Sequence, residues 1–343
     1  MYYSCRASVC RTAAANMDYR LSLMMRNSAL WLVLTALFLL SACESKESSP
    51  TGESTADAPP VVVVVNYPLE FIVDSLAGSE VKVLNPVPSG ADPETWIPDD
   101  EVTETIQRAD LIITNGADFA DWVKKLSLPR SKVLRTSLSL KDALVTVPDF
   151  EVHSHGTGGA HSHAGTVAFF WLDPNLMYRQ AEAIAQRLVN LNSADEQQIQ
   201  SRLLKFKEAL ATLNQQLDQI KADYSGRHWF SRRPVYQYLA RRCGWEMFHL
   251  HWKPGSEPTE GEWEQMQTLQ KEHQISGVLW ERSPGKNLRE KLDEQGLNSF
   301  VLNPLTTKPA KGDYLTVMQE QLSQLAQFLK SNQPVSADEK NPK

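Results

Sequence analysis

Cysteine is scarce and spaced against disulfides. The chain has four, at positions 5, 10, 43 and 243, and no Cys-x-x-Cys pair. A thiolate metal centre and a disulfide-stapled body are therefore excluded. Positive charge is also short, with 35 Lys and Arg against 41 Asp and Glu and a net charge of −6. That balance argues against a nucleic-acid partner, which a basic face would serve. No apolar run is long enough to span a bilayer. The run at residues 29–40 has 12 residues and rises about 18 Å as a helix, against a hydrocarbon core of about 30 Å. No His-Glu-x-x-His or nucleophile motif is present, so a metallohydrolase is the least expected reading and the chain is not expected to be an enzyme. The 16 Gly and 19 Pro follow no period, and 42% hydrophobic residues is an ordinary globular content. Collagen-like and wholly disordered chains are excluded on that ground. At 343 residues, two domains of usual size are expected.

What is present begins with an export signal. Residues 1–42 carry four Arg and one Asp, leaving 31 basic and 40 acidic groups in the remainder. Arg26 precedes the apolar run, which ends in Leu40-Ser41-Ala42-Cys43. Charged start, short apolar stretch and small residues make a signal peptide. The last four residues resemble a bacterial lipobox, with Cys43 as the lipidated residue and the start at Met17, Met24 or Met25. Several acyl chains on one cysteine give stable anchoring where a single chain does not. Residues 43–60 are polar and aperiodic and predict a flexible tether, and residues 332–343 predict a disordered tail. With Cys43 lipidated, Cys243 alone remains and is expected to be a small buried hydrophobe.

The body alternates strand-like and helix-like runs. Residues 61–65 are five consecutive valines, the composition of a strand buried on both faces of a parallel sheet. Helical spacing follows at 67–77, a strand at 81–86, a helix at 99–109, a strand at 110–116 and a helix at 118–126. Residues 141–170 show no periodicity, and long segments of that kind are often functional. Helices follow to about 191 and over 194–224, the latter a rigid backbone for two lobes. The second half predicts helices at 234–242, 260–272, 286–295 and 313–329, with strands at 247–251, 277–280 and 299–302. The fold class is therefore α/β: two βα lobes, each with a mainly parallel sheet, an N-terminal lobe over 61–192 and a C-terminal lobe over 225–331, joined by the helix over 193–224.

Histidine marks the candidate chemistry. Four of eight fall within eleven residues, at His153, His155, His161 and His163, inside a His-rich loop over 149–165. Two His-x-His pairs across a Gly-rich spacer offer up to four imidazoles, a plausible tetrahedral zinc set. Copper(II) or nickel would accept the same ligands, and a solvated loop with incidental affinity is the plainer alternative. His249 and His251 share one face of a predicted strand. They are either a ligand pair, with Glu257 or Glu281 nearby, or interior histidines beside Trp252. Trp96, Trp171, Trp252 and Trp280 are expected in the core.

Several landmarks occur together in order: Asn66-Tyr67-Pro68, Pro88-Ser89-Gly90-Ala91-Asp92-Pro93, Asp110-Leu111-Ile112-Ile113-Thr114-Asn115-Gly116, the His-rich loop, Trp171-Leu172-Asp173-Pro174, Tyr238-Leu239-Ala240 and Leu302-Asn303-Pro304-Leu305. In these, over about 61–330, the chain resembles the solute-binding lipoproteins of bacterial zinc/manganese ABC importers (cluster A-I). The resemblance implies a periplasm-facing, membrane-anchored monomer that clamps one divalent ion, most simply zinc, between its lobes and docks on an ABC permease. It also implies that the loop collects zinc. The family's interlobe ligand positions fall here on Glu94, Phe169, Arg233 and Asn303. Phe169 offers no ligand atom, and Arg233 is a permanent cation that repels a metal. Arg233 either pairs with Glu94 and closes the cleft without an ion, or points to solvent and leaves Glu94 at the rim. A structural or interaction lipoprotein on the same fold is the alternative function. Replacing Cys43→Ala should abolish fatty-acid labelling and release most of the protein from membranes; labelling that persists in the variant would contradict the lipobox.

Overall fold

The computed structural model describes residues 58–332 except 155–159, 192–194 and 254, and for 149–154 and 160–164 the backbone alone. The expected signal peptide, Cys43, nearly all of the tether, His155 and almost all of the tail lie outside the described residues.

The first sheet has the order β2-β1-β3-β4. Its strands are Val61–Val64 (β1), Lys82–Leu84 (β2), Leu111–Thr114 (β3) and Val133–Arg135 (β4), and every ladder is parallel. Val62, Val63, Val64, Leu111, Ile112 and Ile113 are fully buried, because helices cover both faces and leave no polar side to alternate with. Tyr67–Ala77 (α1) follows β1. Its start is fixed by Asn66, whose Oδ1 accepts from Leu69 N at 3.1 Å, satisfying a donor that has no partner inside the helix. Asp100–Arg108 (α2) lies between β2 and β3.

Pro174–Val189 (α3) leads to Glu196–Tyr224 (α4), 29 residues and about 43 Å long. Its buried residues, Ile199, Leu203, Phe206, Leu210, Leu213, Leu217 and Ile220, step by four and three and make one apolar stripe. The stripe runs under both lobes. Near its start Arg202 donates to Leu76 O, Ala77 O and Glu80 of the first lobe. Further along, Gln216 donates to Gln319 O and Asp218 accepts from Arg242, both in the second lobe.

The second sheet is also parallel, in the order β10-β9-β7-β8. Its strands are His228–Ser231 (β7), Glu246–His249 (β8), Gly277–Trp280 (β9) and Asn298–Val301 (β10), with helices Gln237–Cys243 (α5), Glu260–His273 (α6), Lys286–Glu294 (α7) and Tyr314–Ser331 (α8). Gly277 is required by packing: a Cβ there would lie 2.4 Å from the Trp229 ring. One buried cluster contains Val63 and Ile112 of the first sheet together with Trp229 and Leu279 of the second. The lobes are sewn together again by Trp171 Nε1, which donates to Pro304 O at 2.6 Å, and by Tyr314 OH, which donates to Trp171 O at 2.6 Å. Cys243 is fully buried, and burial pushes its thiol up to about 12.

Several expectations change. The aperiodic stretch over 141–170 contains an antiparallel hairpin, Thr146–Ser154 (β5) and Ala160–Thr166 (β6), with His153 opposite His161 and Glu151 opposite His163. Residues 118–126 form a short 3-10 turn at Asp121–Lys125 rather than an α-helix, and β4 and β7 were not anticipated. The hairpin base is clamped from the second lobe, since Tyr238 OH accepts from Val145 N at 3.1 Å and donates to Val167 O at 2.9 Å. Tyr238→Phe leaves both backbone groups without that partner and should cost about 1–3 kcal/mol. Urea unfolding reads this directly, and an unchanged midpoint would show that the hydroxyl does not hold the hairpin base.

Candidate functional site

The candidate site is where the lobes meet, and four segments build it. Glu94 belongs to the turn after β2, which Asp92 organises: its Oδ1 accepts from Glu94 N at 3.1 Å and its carbonyl accepts from Trp96 N at 2.9 Å. Trp122 Nε1 donates to Pro93 O at 3.0 Å and pins the turn to the lobe. Phe169 precedes the 3-10 turn Phe170–Leu172 and is buried edge-on against Phe119. From the second lobe, Arg233 follows β7 and Glu281 follows β9. These strands are neighbours with Ser231 opposite Leu279, so both side chains leave the carboxyl end of one sheet, the usual ligand position in open α/β folds.

The four converge on the Arg233 guanidinium. Its Nη1 and Nη2 donate to the two Glu94 oxygens at 3.0 and 2.7 Å. Its Nε and Nη2 donate to the two Glu281 oxygens at 2.8 and 2.6 Å. The Phe169 ring lies beneath the guanidinium, 5.2 Å from Cζ to centroid. Arg232 adds a second cation, donating to Glu281 Oε1 at 3.1 Å. Two carboxylates thus face two guanidinium groups, all partly buried. Burial opposes the charge on Arg233, but the carboxylates more than compensate and its pKa is raised. Burial likewise opposes ionisation of Glu281, which Arg233, with help from Arg232 and Arg282, overcomes, leaving its pKa lowered. At Glu94 burial prevails over the pull of Arg233 and the pKa is raised.

Of the residues singled out from sequence, Glu94, Phe169 and Arg233 come together here. Asn303 does not: it is exposed in the turn after β10, where its Oδ1 accepts from Leu305 N at 2.8 Å and its N–H donates to Gln321. Glu281 stands in the cluster instead. His249, His251 and Glu281 do not form a ligand set. His249 Nδ1 lies 3.0 Å from Ser231 Oγ and Nε2 lies 2.6 Å from Gln237 Nε2, so both ring nitrogens are occupied, while Glu281 is committed to arginine. Among the described residues no group of three or more His, Cys, Asp or Glu is arranged to hold a metal. The side chains of His153, His155, His161 and His163 lie outside the described residues. Trp171, Trp252 and Trp280 are buried and Trp96 is half-buried. A cavity of ≈ 610 Å³ opens beside the cluster, lined among others by Arg232, Trp252, Lys253, Trp280 and Arg282.

Fold and site define a two-lobed α/β protein whose cleft is bridged by the Glu94–Arg233–Glu281 cluster. The family described as the zinc-uptake complex component A, periplasmic, matches residues 62–328, and the chain belongs to that family. The high-affinity zinc uptake system protein ZnuA of Bacillus subtilis is 22% identical over 313 residues, spanning 88% of this chain and 97% of the relative. The manganese ABC transporter substrate-binding lipoprotein PsaA of Streptococcus pneumoniae is 27% identical over 196 residues, 56% of this chain and 60% of the relative. In fold, the chain is similar to the Zn(II)-bound ZnuA-like domain of Streptococcus pneumoniae AdcA, with a TM-score of 0.64 at 20% identity over 79% of this chain and 98% of that one.

His249 sets a pH dependence of stability. Burial, with a smaller contribution from the neighbouring His251, lowers its pKa from 6.5 to about 4. Between those values the unfolded chain binds a proton that the folded chain refuses, so stability is lost as pH falls from about 6.5 toward 4. The loss should be on the order of 2 kcal/mol, allowing for partial solvation. Urea unfolding across this range should show a flatter profile for His249→Gln than for the parent; parallel profiles would contradict a buried neutral imidazole.

Proposed function

We propose that this chain is the extracytoplasmic solute-binding component of an ABC metal importer, anchored through Cys43, and that its His-rich hairpin takes the divalent cargo. The family match over 62–328 supports the transport role, as do relatives named for zinc uptake and for manganese transport. The observation that carries the choice of site is the filled interlobe point, where Arg233 occupies Glu94 and Glu281. The hairpin is the other concentration of ligands, with His153 opposite His161 and Glu151 opposite His163 in register. Imidazole-rich ligation favours zinc over manganese, which prefers carboxylate and water oxygens. The permease is the implied partner.

The experiment is a competitive zinc titration of the protein and of a variant with His153, His155, His161 and His163 all changed to Ala. Neutral imidazole is the ligand form and its ordinary pKa is about 6.5. Affinity should therefore weaken steeply from about pH 7.5 to 5.5 and vanish in the four-Ala variant. Binding that survives the four substitutions would remove the hairpin from the site. No binding by the parent protein would favour the second reading, an interaction lipoprotein without metal cargo, for which the permanent cation at Arg233 is the supporting observation.

A further inference from the structure

The geometry points to Arg233 as a built-in cation that fills the interlobe site and latches the lobes. Glu94 and Glu281 come from different lobes, yet all four of their carboxylate oxygens are directed at one guanidinium. Those bonds use four of the five N–H groups that an arginine carries. The Phe169 face supplies the remaining side of the cradle. Two partly buried carboxylates facing one point form an anionic cradle that requires a cation. Here the chain supplies it. A tethered cation is present at high effective concentration and never dissociates from the protein, and it keeps its charge across the physiological range. The cleft is therefore closed constitutively rather than by cargo. Where the family match supports metal transport, this latch separates closure of the lobes from metal loading. It stands whether or not the hairpin binds zinc.

The same geometry defines the ligand class that an emptied site would take: a planar, monovalent alkylguanidinium able to bond two carboxylates side by side and lie on an aromatic face. Arg233→Ala leaves the Glu94, Glu281 and Phe169 cradle without its cation, and the neighbouring cavity gives solvent a route to it.

The test is thermal unfolding in a background whose four hairpin histidines are Ala, so that failure of the hairpin reading cannot enter the result. The parent background should show the same midpoint with zinc, manganese or chelator. Arg233→Ala should lower the midpoint by about 5 °C or more, and millimolar ethylguanidinium should restore it saturably while ethylammonium does not. Adding Glu94→Gln to Arg233→Ala should abolish the rescue. If Arg233→Ala does not fold, Glu94→Gln alone, which keeps an acceptor and loses the charge, should lower the midpoint and leave zinc without effect. The proposal is overturned by metal stabilisation of the parent background, by an unchanged midpoint in Arg233→Ala or Glu94→Gln, or by rescue equal for the two cations.

Discussion

The contact between Arg233 and the two carboxylates is the constraint around which the cleft is organised. Each lobe brings an anion to the same partly buried point, Glu94 from one and Glu281 from the other. Neither could be buried alone at acceptable cost, because an unpaired charge out of water is expensive. A buried ion pair need not add net stability, since desolvation can offset the attraction. What it fixes is geometry. Two bidentate contacts set the approach of the Glu94 turn to the ends of β7 and β9 within hydrogen-bond distances, and Arg232 leaves the group electrically balanced.

The fold positions that contact by ordinary means. In the second lobe, parallel pairing of β7 with β9 brings Arg233 and Glu281 side by side. In the first, the Asp92 turn and the Trp122–Pro93 bond hold Glu94 forward. Behind the cleft the two sheets share one buried cluster, underlain by α4 and crossed by the Trp171–Pro304 and Tyr314–Trp171 bonds. A continuous core of this kind resists hinge motion far better than a linker. The arginine therefore closes a gap between bodies that are already held at the back.

Much of this architecture is legible in the sequence. The valine run announces β1, and helical spacing over 67–77 announces α1. The long Leu-rich segment becomes α4, and the alternation of elements gives two parallel lobes. Two strands escaped for physical reasons. β7 has four residues, His-Trp-Phe-Ser, followed at once by Arg-Arg-Pro, too short to show a period; β4 has three. Without β7 the neighbour relation of Arg233 and Glu281 is not visible in the sequence, where Glu281 stands out only as a possible partner of His249 and His251. The hairpin was hidden because glycine, histidine and serine give weak strand preference, and its register shifts between Val147 and Glu151. Its base is set by a tertiary bond from Tyr238, which no local pattern predicts.

The two charged features differ in how they respond to conditions. A guanidinium has no accessible neutral form at physiological pH, so the charge at the cleft is fixed. Imidazole titrates within that range, so any ligand set in the hairpin changes with acidity while the guanidinium does not. Burial lowers the His249 pKa to about 4 and keeps the ring engaged with Ser231 and Gln237, so its response to acid is a loss of stability and not of ligation. The Arg233 charge that joins the lobes therefore stays constant over the range in which free imidazole changes its own.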